Sequence, residues 1–276
     1  MRGNKPRGEA NRHARRATRK SFTFSEIIFI CTLIFLFLPL FVLVLYSFNS
    51  SKNMSWTGFS FIWYEQLFVN SHNLWRAFWN SMLIASTSAA TATLLGTLGA
   101  IGVNWYRFRL RFYTQMTAFL PMVLPEIIIG VSLSIFFSGI GLKLGLLTIF
   151  IAHTTFNLPF VFLMVMARLD EFDFSIIEAA ADLGATERQT LMKVTIPVCM
   201  PGIVSGFITA ITLSLEDFVI TYFVAGPGSS TLPLYIYSAI RFGVSPVINA
   251  LSVIMILGTV FLTYILRNFL KYIAAK

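Results

Sequence analysis

Five polar side chains sit inside stretches of sequence that are otherwise almost wholly apolar. Glu126 lies in LPEIIIG, Glu216 and Asp217 lie in SLEDF, and His153 and Asn157 share a third apolar run. An ionisable group at mid-membrane depth costs about 2.5–3.5 kcal/mol on insertion scales, so a chain that keeps several of them has a use for them. Three carboxylates with no Lys or Arg at comparable depth form acceptors suited to a desolvated cation. Pro121 and Pro125 add to that chemistry, because each removes a helical donor and frees the carbonyl four residues earlier, at Thr117 and Pro121. His153 reads as a hydrogen-bonded packing residue rather than a proton relay. It has no Ser or Cys partner at a spacing that would make a nucleophile–base pair. Cys31 and Cys199 stand far apart, outside any Cys-x-x-Cys or Cys/His pattern, and read as packing residues. No catalytic site, no metal and no cofactor are expected.

The elements that must position these groups follow from composition. The 276 residues are 56% hydrophobic and 12% charged, with 28 Phe; a soluble domain is about a quarter charged, so the chain is a polytopic membrane protein. A crossing needs about 20 apolar residues, and six segments qualify: 25–48, 77–103, 112–137, 145–166, 202–224 and 247–270. The first is too long for a signal-peptide core, has no small-residue cleavage site after it, and reads as a retained anchor. The expected organisation is a basic tail over 1–24 and a single membrane domain over 25–276, with its core at 77–270.

Net charge is +9, which raises nucleic acid as a partner. The distribution of the basic residues argues against it. They concentrate in the tail, after the second span (Arg107, Arg109, Arg111), in the segment 167–201 (Arg168, Arg188, Lys193) and at the C-terminus. The alternate loops 49–76, 138–144 and 225–246 hold four. This is the positive-inside pattern with attraction to anionic membrane lipids, and it places both termini in the cytoplasm. The outer loop 49–76 is rich in aromatics, among them Trp56, Phe59, Phe61, Trp63 and Tyr64. They suit an interfacial belt or a docking surface for an external protein.

Two spans carry further patterns. In the second, Ser88, Ala92, Gly96 and Ala100 form a small-residue ridge for close helix packing, within the bundle or between subunits. In the fifth, Ile208, Ile211, Leu215, Phe218 and Tyr222 share an apolar face. Ser205, Thr209, Thr212 and Glu216 form a second face, and Ala210, Ser214, Asp217 and Thr221 form a third beside it. A broad polar sector holding both acids suits a helix that lines a path.

Between two apolar runs stands EAAADLGATERQTLMKVTIP, Glu178 to Pro197. Ser175 with Glu178 has capping-box spacing, which starts a helix near Ile176. Gly184 can take the left-handed conformation that ends it. Thr186 with Gln189 repeats the box, and Pro197 ends the second helix or begins the return to the membrane. The result is a stiff cytoplasmic knob within 167–201, for which an interfacial hairpin is the plainer reading.

Glu178-Ala179-Ala180, three residues, Gly184, nine residues, then Val194, Ile196 and Pro197 resemble the EAA loop of ABC-importer permeases. Val194 replaces the family's Ile, and Ile196 its Leu. The resemblance implies a type I ABC-importer permease fold, all-α with six transmembrane helices and a two-helix coupling loop that docks on a separate ATPase. No G-x-x-x-x-G-K-[ST] sequence is present, so the expected role is that of a transport subunit, not an enzyme. YSFNSSKNMSWTGFS, EFDFSIIEAAADLGA, SLEDFVITYFVAGPGSSTLPLYIYS and GVSPVINAL extend the likeness to the spermidine/putrescine importer permeases. That implies two ATP-binding subunits, a second permease, an external polyamine-binding protein and a place in the bacterial inner membrane. Glu126, Glu216, Asp217 and the loop aromatics, Trp56 among them, match in type what a polycation needs, since aromatic faces attract cations. Other readings are a permease for another small solute, and an ion-coupled secondary transporter with Glu126, Glu216 and Asp217 as its ion sites.

Overall fold

The structure, a computed structural model, describes residues 24–52, 55–105, 109–171, 173, 175–241 and 245–274. The basic tail falls outside them. In chain order the helices are α1 (Phe24–Ser47), α2 (Ile62–Val69), α3 (His72–Trp105), α4 (Arg111–Val123), α5 (Glu126–Gly139), α6 (Leu146–Asp170), α7 (Ser175–Asp182), α8 (Glu187–Thr190), α9 (Ile196–Glu216), α10 (Val219–Val224), α11 (Leu232–Arg241) and α12 (Pro246–Ala274). Among the described residues the one extended pairing is an isolated bridge between Asn49 and Phe59. Among the described residues four helices are long and apolar enough to cross a membrane, or five when the bent pair α4–α5 is one crossing; the described apolar part of α12, Pro246–Phe261, is shorter.

The chain divides into two compact units. In the first, residues 1–67 and 246–276, α1 runs along α12. Ser47 is the buried residue of α1, and its Phe, Ile and Leu side chains point outward, as lipid contact requires. Cys31 is exposed with them, which corrects the expectation that it packs inside. Beyond α1 the chain turns around Asn49, whose side chain donates to the Ser55 carbonyl at 2.9 Å and accepts the Thr57 amide at 3.0 Å. The Trp63 indole donates to the Asn49 carbonyl. Phe48 stacks on Phe59 at 5.1 Å between ring centres and meets Phe61 edge-on at 5.5 Å.

The second unit, residues 68–245, is built on α3, α6 and α9. Without a hydrophobic drive between helices in lipid, such a core depends on close contact, and the small-residue ridge of α3 supplies it. Ser88, Ala92, Gly96 and Ala100 are all buried. A Cβ on Gly96 would lie 3.0 Å from Val161 of α6, and one on Gly206 of α9 would lie 3.2 Å from the same residue. Val161 is therefore clamped between two glycines, and the ridge works inside this chain. Cys199 is buried in the same core, as its apolar character predicts.

Two of the expected straight spans are broken. The third bends by 106° between α4 and α5, because Pro125 holds an extended ψ of 133° and cannot donate to the α4 ladder. The fifth ends at Glu216; Asp217 is extended, with ψ 119°, and α10 follows. A third expectation changes in the opposite sense. Pro197 does not end a helix, and of its two readings the other fits: α8 passes through a π-helical segment, Leu191–Thr195, into the apolar α9, with Pro197 in its first turn. Proline cannot donate to that ladder, and just before it the Ile196 amide reaches back to the Leu191 carbonyl.

Candidate functional site

The breaks in the two helices bring acids together. Glu126 is the first residue of α5, where the helix dipole favours a carboxylate, and it lies within electrostatic reach of Asp217 and Glu216. Packing sets this meeting, since Ile220 and Phe223 of α10 close against Gly130, one turn after Glu126. Glu126 and Glu216 are exposed on the chain. Asp217 is 8% exposed. The polar sector of the fifth span thus separates: Ser205, Thr212 and Glu216 face outward, whereas Ala210, Ser214, Asp217 and Thr221 turn into the bundle.

Inside, Asp217 holds the break. Its Oδ1 accepts the Ile220 amide at 3.1 Å, and its Oδ2 accepts the Thr221 amide at 2.9 Å and the Thr221 hydroxyl at 2.7 Å. A carboxylate that takes the first free amides of a helix acts as its cap. Its own amide still donates to the Leu213 carbonyl at the end of α9. His153, 2% exposed on α6, reaches across: Nε2 lies 3.0 Å from Asp217 Oδ2 and 2.9 Å from Thr221 Oγ1, and Nδ1 lies 2.6 Å from Ser214 Oγ. The network assigns the Nε2–H tautomer, which donates to the carboxylate and accepts the Ser214 hydroxyl at Nδ1. Ser88 of α3 donates in turn to Ser214 at 3.4 Å. Three helices are joined by one polar chain.

The sequence reading gave His153 no serine partner, and the structure corrects it with one 61 residues away. The types Ser214, His153 and Asp217 match a nucleophile triad. The surroundings do not serve that chemistry. Ser214 is buried in the last turn of α9, where the neighbouring amides still belong to the helix ladder and supply no oxyanion hole. The set is a structural clasp, as the packing reading of His153 expected. One turn further along α6, Asn157 is fully buried with neither amide atom partnered.

The segment after α6 forms a second, exposed feature. Asp173, not Ser175, starts α7 by accepting the Ser175 amide at 2.9 Å; this replaces the expected Ser175–Glu178 box. That bond holds the Asp173 carboxyl below its ordinary range, since it favours the charged form. Gly184 ends α7 at φ +80°. The Ala185 amide bonds the Ala180 carbonyl at 3.0 Å and the Gly184 amide bonds Ala181 at 2.9 Å, the paired bonds of a Schellman motif. The second Ala of the Glu178-Ala179-Ala180 run thus supplies a carbonyl that locks the turn. Thr186 and Gln189 cap α8 reciprocally, at 2.9 and 3.3 Å. Glu178, Ala179 and Pro197 are exposed, whereas Val194 and Ile196 are half-buried. Leu183 is 90% exposed, and Ile176 and Met192 are exposed as well. Trp56 is exposed in the other unit.

A helical membrane bundle with two broken helices and acids at both breaks has features found in solute-transport proteins. Residues 92–276 match the family model of the binding-protein-dependent transport system inner membrane component, and the chain belongs to that family. It is 40% identical over 223 residues to the spermidine/putrescine transport system permease protein PotC of Escherichia coli K12, which covers 80% of this chain and 84% of the relative. It is 43% identical over 236 residues to the putrescine transport system permease protein PotI of the same organism, covering 82% and 83%. Among solved structures, a bacterial ABC transporter involved in import of the acidic polysaccharide alginate matches with TM-score 0.69 at 14% identity, over 97% of this chain and 99% of that one. The MetNI methionine ABC transporter matches with TM-score 0.56 at 20% identity, over 72% and 94%. These last two establish the fold.

Proposed function

We propose that the chain is a permease subunit of an ATP-driven bacterial importer and forms part of the inner-membrane path for spermidine or putrescine. The observation that carries this reading is 40–43% identity to polyamine permeases across four-fifths of the chain. The fold alone would not choose the cargo, because an importer of an acidic polysaccharide shares it. The acids do bear on it: Glu126 and Glu216 are exposed, each stands at a helix break, and both have the charge that a desolvated ammonium needs. Trp56 supplies an aromatic face. Asp217 contributes from behind, since its carboxylate is committed to α10 and His153.

The membrane domain, 25–276, has six crossings in this proposal: α1, α3, the pair α4–α5, α6, the pair α9–α10, and α12. Its core spans 77–270. Both termini and the coupling loop 167–201 face the cytoplasm. There the elbow at Gly184 and its exposed Leu183 fit a docking surface for the ATP-binding subunit, of which two copies are expected. A second, homologous permease and an extracytoplasmic polyamine-binding protein complete the complex.

Uptake of radiolabelled spermidine and putrescine, in a deletion strain carrying the full operon, tests the cargo. Glu126→Gln and Glu216→Gln should each lower uptake at unchanged complex yield; normal uptake in both removes the acids from the path. Ser71→Cys should react with an impermeant thiol reagent outside intact cells and Gln189→Cys should not. Labelling at 189 would overturn the topology.

A further inference from the structure

The proposed path leaves His153 without a part, yet it is the residue that ties the broken helix to the bundle. Its ring stands on α6, while Ser214, Asp217 and Thr221 lie before, at and after the break. Asp217 in turn closes the first turn of α10 through two backbone amides. The residue immediately before it, Glu216, is the last of α9 and is exposed. A six-residue helix such as α10 has too few internal bonds to fix its own direction. The side chains that bridge the break therefore set the angle between α9, which ends at Glu216, and α10, which packs on α5 just beyond Glu126.

The geometry points to His153 as a positioning residue for transport: through Asp217 and Ser214 it fixes the α9–α10 break, and with it the placing of Glu216 at the end of α9 relative to Glu126 on α5, against which α10 packs. This inference rests on the proposed path role of Glu216. His153 itself, buried behind the break, touches no cargo. Its effect is indirect, and it depends on a bonding pattern rather than on charge at the path. An imidazole suits the place because its two nitrogens lie on opposite edges of a rigid ring. One therefore donates to the carboxylate after the break while the other accepts from the hydroxyl before it.

The test uses the complete reconstituted complex with its ATPase and binding protein, and reads spermidine uptake per assembled complex. His153→Leu keeps the approximate volume and removes both bonds; His153→Gln keeps a donor for Asp217. Loss of the hydrogen bond to the buried carboxylate alone corresponds to at least about a tenfold effect, so His153→Leu, which removes the Ser214 bond as well, should lower uptake by about tenfold or more, with His153→Gln recovering most of it. In a Glu216→Gln background, whose uptake is already reduced, His153→Leu should add less than about twofold, because coupled residues act through one step. Thr221→Val, which removes one hydroxyl and leaves the backbone amide on Asp217, gives a milder variant if His153→Leu assembles poorly; it should show the same dependence on Glu216. Equal factors in both backgrounds, or no recovery with His153→Gln, would overturn the positioning role while leaving the path intact. Normal uptake by Glu216→Gln alone would instead remove the path reading and this inference with it.

Discussion

The elbow at Gly184 and the break at Asp217 both interrupt a helix, and they are held by opposite means. At the elbow every bond is local. The Schellman pair spans residues 180–185, the capping box 186–189, and the starting bond 173–175. At the break the cap is local, but the bonds that fix its direction come from His153, more than 60 residues away in sequence. The elbow is exposed and, in the proposed topology, stands in the cytoplasm, where water satisfies a lost bond. The break lies inside an apolar bundle, where a lost partner leaves a polar group stranded. The same number of hydrogen bonds therefore has very different weight in the two places.

Substitutions at the two sites sharpen that contrast. The largest effect should come from Asp217→Ala, which strands the His153 donor and two amides of α10. Removing one partner of a buried pair costs roughly 3–5 kcal/mol, so complex yield and thermal midpoint in detergent should both fall. Retention of wild-type yield would show that the clasp carries no load. This differs from the outcome expected for the proposed path acid Glu216, where uptake should fall and assembly persist.

Gly184→Val should come next. No atom lies within 4 Å of a Cβ there, so the cost is that of the backbone alone, on the order of 1–3 kcal/mol for a β-branched residue at positive φ. Yield should survive, and the elbow should lose its geometry. ATP-driven uptake should then be lost while the complex still recruits the loaded binding protein. Normal uptake would sink the docking role of the elbow.

The smallest effects belong to the exposed caps. Thr186→Ala should destabilise α8 by about 1 kcal/mol, read as faster hydrogen exchange at Gln189 with little change in uptake. Asp173 offers a pH test of the same kind. Its carboxyl is held below the ordinary value of 3.8, so its contribution is complete above that value and disappears as pH falls through the depressed one. Protection of the Ser175 amide should therefore decline below about pH 3.8 and be absent in Asp173→Ala. An unchanged profile in the variant would assign the cap elsewhere.

How far the sequence reached follows from the same contrast. The turn at Gly184 and the box at Thr186 were legible because their partners lie within a few residues. The box at Ser175 was misplaced by two residues, since Asp173 competes for the same free amide and reaches it first. The small-residue ridge was legible as a ridge, while its partner, Val161 between Gly96 and Gly206, was not.

By itself the sequence determined the membrane class, the apolar segments, the acids within them and the spacing of the elbow. These depend on composition, periodicity and contacts between near neighbours. Only the tertiary structure decided which acids face outward and which are held inside. Glu216 and Asp217 are adjacent, and one residue is a rotation of about 100° on a helix. That rotation, with α6 packed on one side, places Asp217 against His153 and leaves Glu216 exposed. The break after Glu216 was equally silent in sequence, because no proline or glycine marks it. It exists where Asp217 takes the amides of α10 and His153 takes Asp217, and both steps need α6 to lie alongside.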